Sequence, residues 1–181
     1  MVDVDVETPQ IGERAPSFEL PGTDGEEHDI DEFDAPVLAV VFTCNHCPYA
    51  QAYQDRIKAI QADYDEVDVV AINPNDAEAY PEDSFEEMVE RAETAGFNFP
   101  YLRDESQAVA REYGAEATPH VFLFDADRTL RYEGKIDDDW EHPEQVERRY
   151  VREAIDALLA DETVPEEHVA PLGCSIKWTG E

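Results

Sequence analysis

An unbroken run, Val37-Leu38-Ala39-Val40-Val41-Phe42-Thr43, leads straight into Cys44-Asn45-His46-Cys47-Pro48. Rich in β-branched and aromatic residues and too short for a helix of its own, it reads as a buried central strand. Beyond the cysteines, Tyr53, Ile57, Ile60 and Tyr64 fall on one face at helical spacing. Two thiols therefore stand where a parallel strand hands over to a helix. Open α/β sheets place their sites there, and a C-x-x-C at such a junction reads as a redox pair.

The spacing has a chemical reason. Asn45 is expected to cap the helix, with Pro48 in its first turn, where a missing N–H costs little. Free amides and the helix dipole then favour a thiolate over a thiol. A thiolate is both the better nucleophile and the better leaving group in disulfide exchange. His46, between the two cysteines, would stabilise the thiolate further when protonated and make the pair more oxidising. The competing reading is a zinc half-site, but zinc usually brings a second Cys/His pair at short spacing, and the chain has no second C-x-x-C. Redox chemistry is expected, with neither a metal nor a bound cofactor.

The chain has 181 residues, 42% of them apolar, which suits one domain with a sizeable core. That domain is expected to span 1–181, with 1–12 flexible and 161–181 a C-terminal extension. The first ten residues lack a basic stretch and the longest apolar run is far too short to span a bilayer, so a cytoplasmic protein with no membrane contact is expected. A formal charge of −32, with acids spread along the whole chain, reads as adaptation to a very salty cytoplasm. Nucleic acid is excluded as a partner, because such a surface repels phosphates. Asp137-Asp138-Asp139 and Glu86-Glu87 are expected on solvated faces.

Residues 15–25 alternate and turn like an N-terminal hairpin. Val67 to Ile72 is a second buried strand, and the polar loop from Asn73 to Asp83 should lie on the cysteines' side of the sheet. Ser84-Phe85-Glu86-Glu87 has the form of a capping box for a helix that buries Phe85, Met88, Val89 and Ala92 and ends at Gly96. A second helix is expected from Ser106 to Tyr113. Val121–Phe124 and Leu130–Gly134 form a hairpin, and the last helix is expected from about Pro143 to Leu159. A βαβ unit, a hairpin and a helix make an α/β, thioredoxin-like order: a central mixed sheet flanked by helices, with residues 73–114 a helical insertion between the halves.

Several motifs together resemble the alkyl hydroperoxide reductase and thiol-specific antioxidant group. They are Ala15-Pro16-x-Phe18-x-Leu20, Thr43-Cys44-Asn45-His46-Cys47-Pro48-Tyr49, Ile72-Asn73-x-Asn75-Asp76, Tyr80-Pro81-Glu82-Asp83, Gly134-Lys135-Ile136-Asp137-Asp138 and Gly173-Cys174-Ser175-Ile176-Lys177-Trp178. The chain is similar to the peroxiredoxin-like redoxins that carry a thioredoxin-style C-x-x-C. The resemblance implies that Thr118-Pro119 holds a cis-proline packed against the cysteines.

It also implies where a peroxidase would keep its machinery. A peroxiredoxin has a threonine three residues before its peroxidatic cysteine and an arginine nearby, preorganised for the leaving oxygen. Aligned on Cys47, the threonine's place is taken by Cys44, with Thr43 one position off, and the arginine's place by Pro119. Arg103, Arg128 and Arg131 are substitutes, each expected at the surface. The resemblance thus favours thiol–disulfide exchange through a Cys44–Cys47 disulfide, with an antioxidant role and protein or small-molecule disulfides as substrates. Reduction of hydrogen peroxide or alkyl hydroperoxides is the alternative within the family. In either case an external thiol reductant such as thioredoxin reopens the disulfide. Cys174 reads as a buried tail residue or as a third thiol folded back to the site. A copper chaperone, binding through Cys44, Cys47 and His120 or His168, is the alternative of another class.

Overall fold

A computed structural model of the protein describes residues 9–180. The expected flexibility of residues 1–12 therefore falls mostly outside the described residues. The central strand β3 (Val37–Phe42) is buried at every position. It pairs in parallel with β4 (Val67–Asn73) on one side and antiparallel with β7 (His120–Phe124) on the other. The remaining strands β5 (Tyr101–Arg103), β8 (Leu130–Gly134) and β9 (His168–Val169) complete a mixed sheet in the order β5-β4-β3-β7-β8-β9.

The alternation of β3 divides the core. Val37, Ala39 and Val41 face one layer with Tyr53, Ile57 and Ile60 of α1 (Pro48–Asp63), Met88 of α2 (Phe85–Ala95) and Val151 and Ile155 of α4 (Tyr150–Leu159). Leu38, Val40 and Phe42 face the other, with Val109, Ala110 and Tyr113 of α3 (Ala108–Tyr113) and the hairpin β1 (Glu19–Pro21) and β2 (Glu27–Asp29). At roughly 2 kcal/mol for each large apolar side chain removed from water, these two layers hold the sheet in place. The site thus stands on a strand with no exposed face.

Some elements differ from the sequence reading. The insertion between β4 and β7 is not purely helical, since β5 within it extends the main sheet. The last helix starts at Tyr150 rather than Pro143, whose surroundings form one short 3-10 turn. Phe85 is 38% exposed, so α2 buries Met88 and leaves its first residue outside. Ser84 accepts from the Glu87 N–H as expected of the cap. Asp137 is not on a solvated face: it is buried and receives Arg56 at 2.8 Å and the Tyr53 hydroxyl at 2.6 Å. Among the described residues no helix is long and apolar enough to cross a membrane.

Candidate active site

Thr43 extends the ladder by donating its N–H to the Ile72 carbonyl at 2.9 Å, and the chain then leaves the sheet as Cys44 to Cys47. Cys47 is the residue that caps α1, with Pro48 in the first helical position. Asn45 is therefore not the cap. Its side chain turns away, donating to the Glu82 carbonyl at 2.9 Å and accepting from the Tyr101 hydroxyl at 2.9 Å. These partners come from segments far along the chain, so local spacing carried no sign of them.

Both sulfurs are buried, Cys44 at 6% and Cys47 at 0% exposure, and both meet Thr118. Cys44 Sγ lies 3.4 Å from the Thr118 hydroxyl, and Cys47 Sγ lies 3.4 Å from the Thr118 carbonyl. Thr118 closes the short strand β6 (Ala117–Thr118), and the Thr118–Pro119 peptide is cis. On the far side of β6 runs β10 (Cys174–Ser175), antiparallel, with Cys174 opposite Thr118. Cys174 packs against Cys44, Cys47 and Ala50, so the structure gathers all three cysteines of the chain.

Asp83 belongs to the motif Tyr80-Pro81-Glu82-Asp83, but nothing in the sequence announces its role. Its carboxylate is fully buried and gathers four groups: the Asn45 N–H at 2.7 Å, the Asn73 and Asn75 amides at 3.1 Å each, and His46 Nδ1. Tyr80 stacks on the His46 ring, with centroids 5.1 Å apart. His46 therefore leans on a carboxylate from the loop after β4. An open groove of about 420 Å³ begins there, lined by Asn45, His46, Gln51, Glu82, Glu90 and Arg91.

The proton distribution between the two thiols is unequal. A hydrogen bond from Cys44 is the largest influence on Cys47 and favours its thiolate; the Cys174 thiol and the backbone N–H groups of Ala50 and Cys174 act in the same direction. Burial and the Thr118 carbonyl oppose ionisation but are outweighed, and the Cys47 thiol falls to about 4. Cys44 is pushed up, first by that shared hydrogen bond and then by burial and the charge of Asp83.

One thiolate per chain is therefore expected at neutral pH, seen as an absorbance near 240 nm that the Cys47→Ser variant lacks and that fades as the pH falls through about 4. Because the folded value lies below the unfolded one, the associated stability is complete only above about 9 and is lost as the pH falls toward about 4. Equal absorbance in the two reduced proteins at neutral pH would contradict this assignment.

The arginines expected as substitutes are committed elsewhere. Arg103 is buried, not on the surface, and donates to the carbonyls of Asn73 at 3.1 Å and Asn75 at 2.6 Å. Arg128 holds the Phe33 and Ala35 carbonyls, and Arg131 pairs with Asp125. Both lie beside the end of β7 that pairs with the start of β3, remote from the cysteines. His120 accepts from the Glu116 N–H at 3.2 Å and pairs with Glu133, which also holds His168. The histidine beside the thiols is His46: ligand atoms of Cys44, His46 and Asp83 lie within 4.8 Å of one another, a group with the means to hold a metal.

A mixed sheet of this order, with two thiols at the strand-to-helix junction, defines a redoxin of the thioredoxin superfamily. The chain belongs to the AhpC/TSA family, whose family model matches residues 11–133. Among solved structures it is similar to a hypothetical protein from Sinorhizobium meliloti 1021, with 38% identity, 97% of this chain and 98% of that one covered, and a TM-score of 0.88. An uncharacterized conserved protein from Geobacillus kaustophilus shares 40% identity over 95% of this chain and 94% of its own, with a TM-score of 0.88. Peroxidoxin BcpB from Mycobacterium tuberculosis is similar in fold at 17% identity, with a TM-score of 0.58 over 69% of this chain and 84% of that one. No match is found among curated protein sequences.

Proposed function

We propose that the protein is a thiol–disulfide oxidoreductase that cycles a Cys44–Cys47 disulfide, with an antioxidant role through that cycle. One observation carries the reading: where a peroxidase of this family needs a threonine, a second thiol, Cys44, is buried in one cluster with Cys47, and both sulfurs meet Thr118. The chemistry follows from the inequality of the two sulfurs. In the oxidised form an incoming thiolate attacks the less buried sulfur, Cys44. The S–S bond breaks and Cys47 leaves as the stabilised thiolate, since a leaving thiol of lower pKa departs faster. A second thiol of the partner then attacks the mixed disulfide, so that the partner leaves oxidised and Cys44 recovers its proton. Run in reverse, the same steps reduce a disulfide substrate. An external dithiol of the thioredoxin type is the reductant this cycle calls for, and the acidic chain fits a salt-rich cytoplasm.

Peroxide reduction is the second reading, favoured by the thiolate held on Cys47 at the start of α1. The two are separated by the rate at which the reduced protein, in molar potassium chloride, loses thiols to hydrogen peroxide. A rate like that of an ordinary thiol, together with catalysed reduction of insulin disulfides by dithiothreitol, is the expected outcome. A rate far above it would make the protein a peroxidase that works without the family's threonine and arginine. Copper retained after purification without added metal would instead support a chaperone, with Cys44 and His46 as ligands.

A further inference from the structure

The third thiol is placed more deliberately than a tail residue needs to be. β10 fills the free edge of β6, so the edge beside the catalytic sulfurs is already paired from within the chain. The approach is close: a Cβ on Gly173 would lie 2.1 Å from the Thr118 carbonyl oxygen, so only glycine lets the tail come this near. Beyond Cys174 the tail is fastened residue by residue. Ile176 is buried in the core, the Lys177 N–H donates to Asn75 Oδ1 at 2.9 Å, and the Lys177 carbonyl accepts from Gln107 at 2.9 Å. Trp178 lies under the Arg111 guanidinium at 4.3 Å. Cys174 is thereby held against Cys47, yet it is partly exposed while Cys44 and Cys47 are buried.

We propose that Cys174 is a second exchange partner of Cys47, to which the Cys44–Cys47 disulfide migrates so that an external dithiol can open it from the surface. The inference rests on the disulfide cycle proposed above. In the migration the Cys174 sulfur attacks Cys47 Sγ, the Cys47–Cys174 bond forms and the Cys44–Cys47 bond breaks. Cys44 leaves and takes up the proton that Cys174 gives up, so no net oxidation occurs. The dithiol then attacks Cys174 and expels Cys47 as the thiolate its surroundings stabilise, and its second thiol completes the two-electron reduction. Cys47 is thus the shared member of two disulfides. In the reduced protein burial and the neighbouring Cys47 hold the Cys174 thiol above its ordinary value, and the part due to Cys47 vanishes once Cys47 is in a disulfide.

The test oxidises the full chain and its variants with one equivalent of diamide in molar potassium chloride, quenches with acid, and maps the linked peptides without reduction. Wild type is expected to yield both Cys44–Cys47 and Cys47–Cys174 linkages, and Cys44→Ser an intramolecular Cys47–Cys174 bond. Oxidised Cys174→Ser is expected to carry only Cys44–Cys47 and to be reduced by dithiothreitol roughly fivefold or more slowly than wild type, its exposed point of attack being lost. Gly173→Ala, which crowds the tail off Thr118 without touching a sulfur, should lower the share of Cys47–Cys174. Cys44→Ser giving only unlinked Cys174 or dimers between chains would overturn the inference, as would an unchanged share in Gly173→Ala. Absence of the Cys44–Cys47 linkage from Cys174→Ser would instead overturn the proposed cycle itself.

Discussion

Cys47→Ser is expected to abolish dithiothreitol-driven reduction of insulin, by at least about a thousandfold, the scale seen when a nucleophile is removed from a site that works as a unit. The reason is its position in every step: Cys47 closes the disulfide, is the favoured thiolate and is the leaving group. A serine hydroxyl is of similar size and can still donate to the Thr118 carbonyl, so far-UV circular dichroism and the melting temperature should change little. Cys44→Ser should behave differently, keeping a stabilised thiolate and stalling without its usual partner. Retention of more than about a tenth of wild-type turnover by Cys47→Ser would remove this residue from the centre of the mechanism.

The second large effect concerns a residue that forms no bond to substrate. Asp83→Ala deletes the one acceptor shared by the buried Asn45 N–H, the buried Asn73 and Asn75 amides and the partly exposed His46. Buried donors left without a partner, and a histidine left without its carboxylate, cost about 3–5 kcal/mol together. For a chain of this length that corresponds to a melting temperature lower by roughly 10 °C. Asp83→Asn keeps the shape and some of the acceptors, and should lose less. Urea unfolding of the reduced proteins in molar potassium chloride measures both. A loss below about 1 kcal/mol in Asp83→Ala would mean that the loop does not hold the cysteines as described.

What could be read from the sequence was decided by how local its cause is. β3 and α1 are legible because an unbroken β-branched run and helical spacing are properties of neighbouring residues, and the C-x-x-C at their junction marks the site. Pro119 and Cys174 came into view through motifs, although neither distance nor partner did. Asn45 has the residue type of a cap but does not serve as one, because a cap is chosen by backbone geometry: Cys47 takes that place while Asn45 is captured by residues 37 and 56 positions away. Asp83 stood in full view within Tyr80-Pro81-Glu82-Asp83, but nothing in an acidic chain distinguishes a buried carboxylate from the exposed ones around it. The burial of Arg103 is illegible for the same reason: its partners are backbone carbonyls, which leave no trace in side-chain patterning.

Asn75 joins two of these parts. Its carbonyl oxygen receives the Lys177 N–H, and its amide nitrogen donates to Asp83. The two ends of a carboxamide are not interchangeable, so a turned side chain would set N–H against N–H at the tail and oxygen against carboxylate at the loop. Seating of the tail and support of His46 therefore depend on one side-chain orientation. A disturbance at either end is transmitted to the other across a single planar group, with no movement of the sheet required.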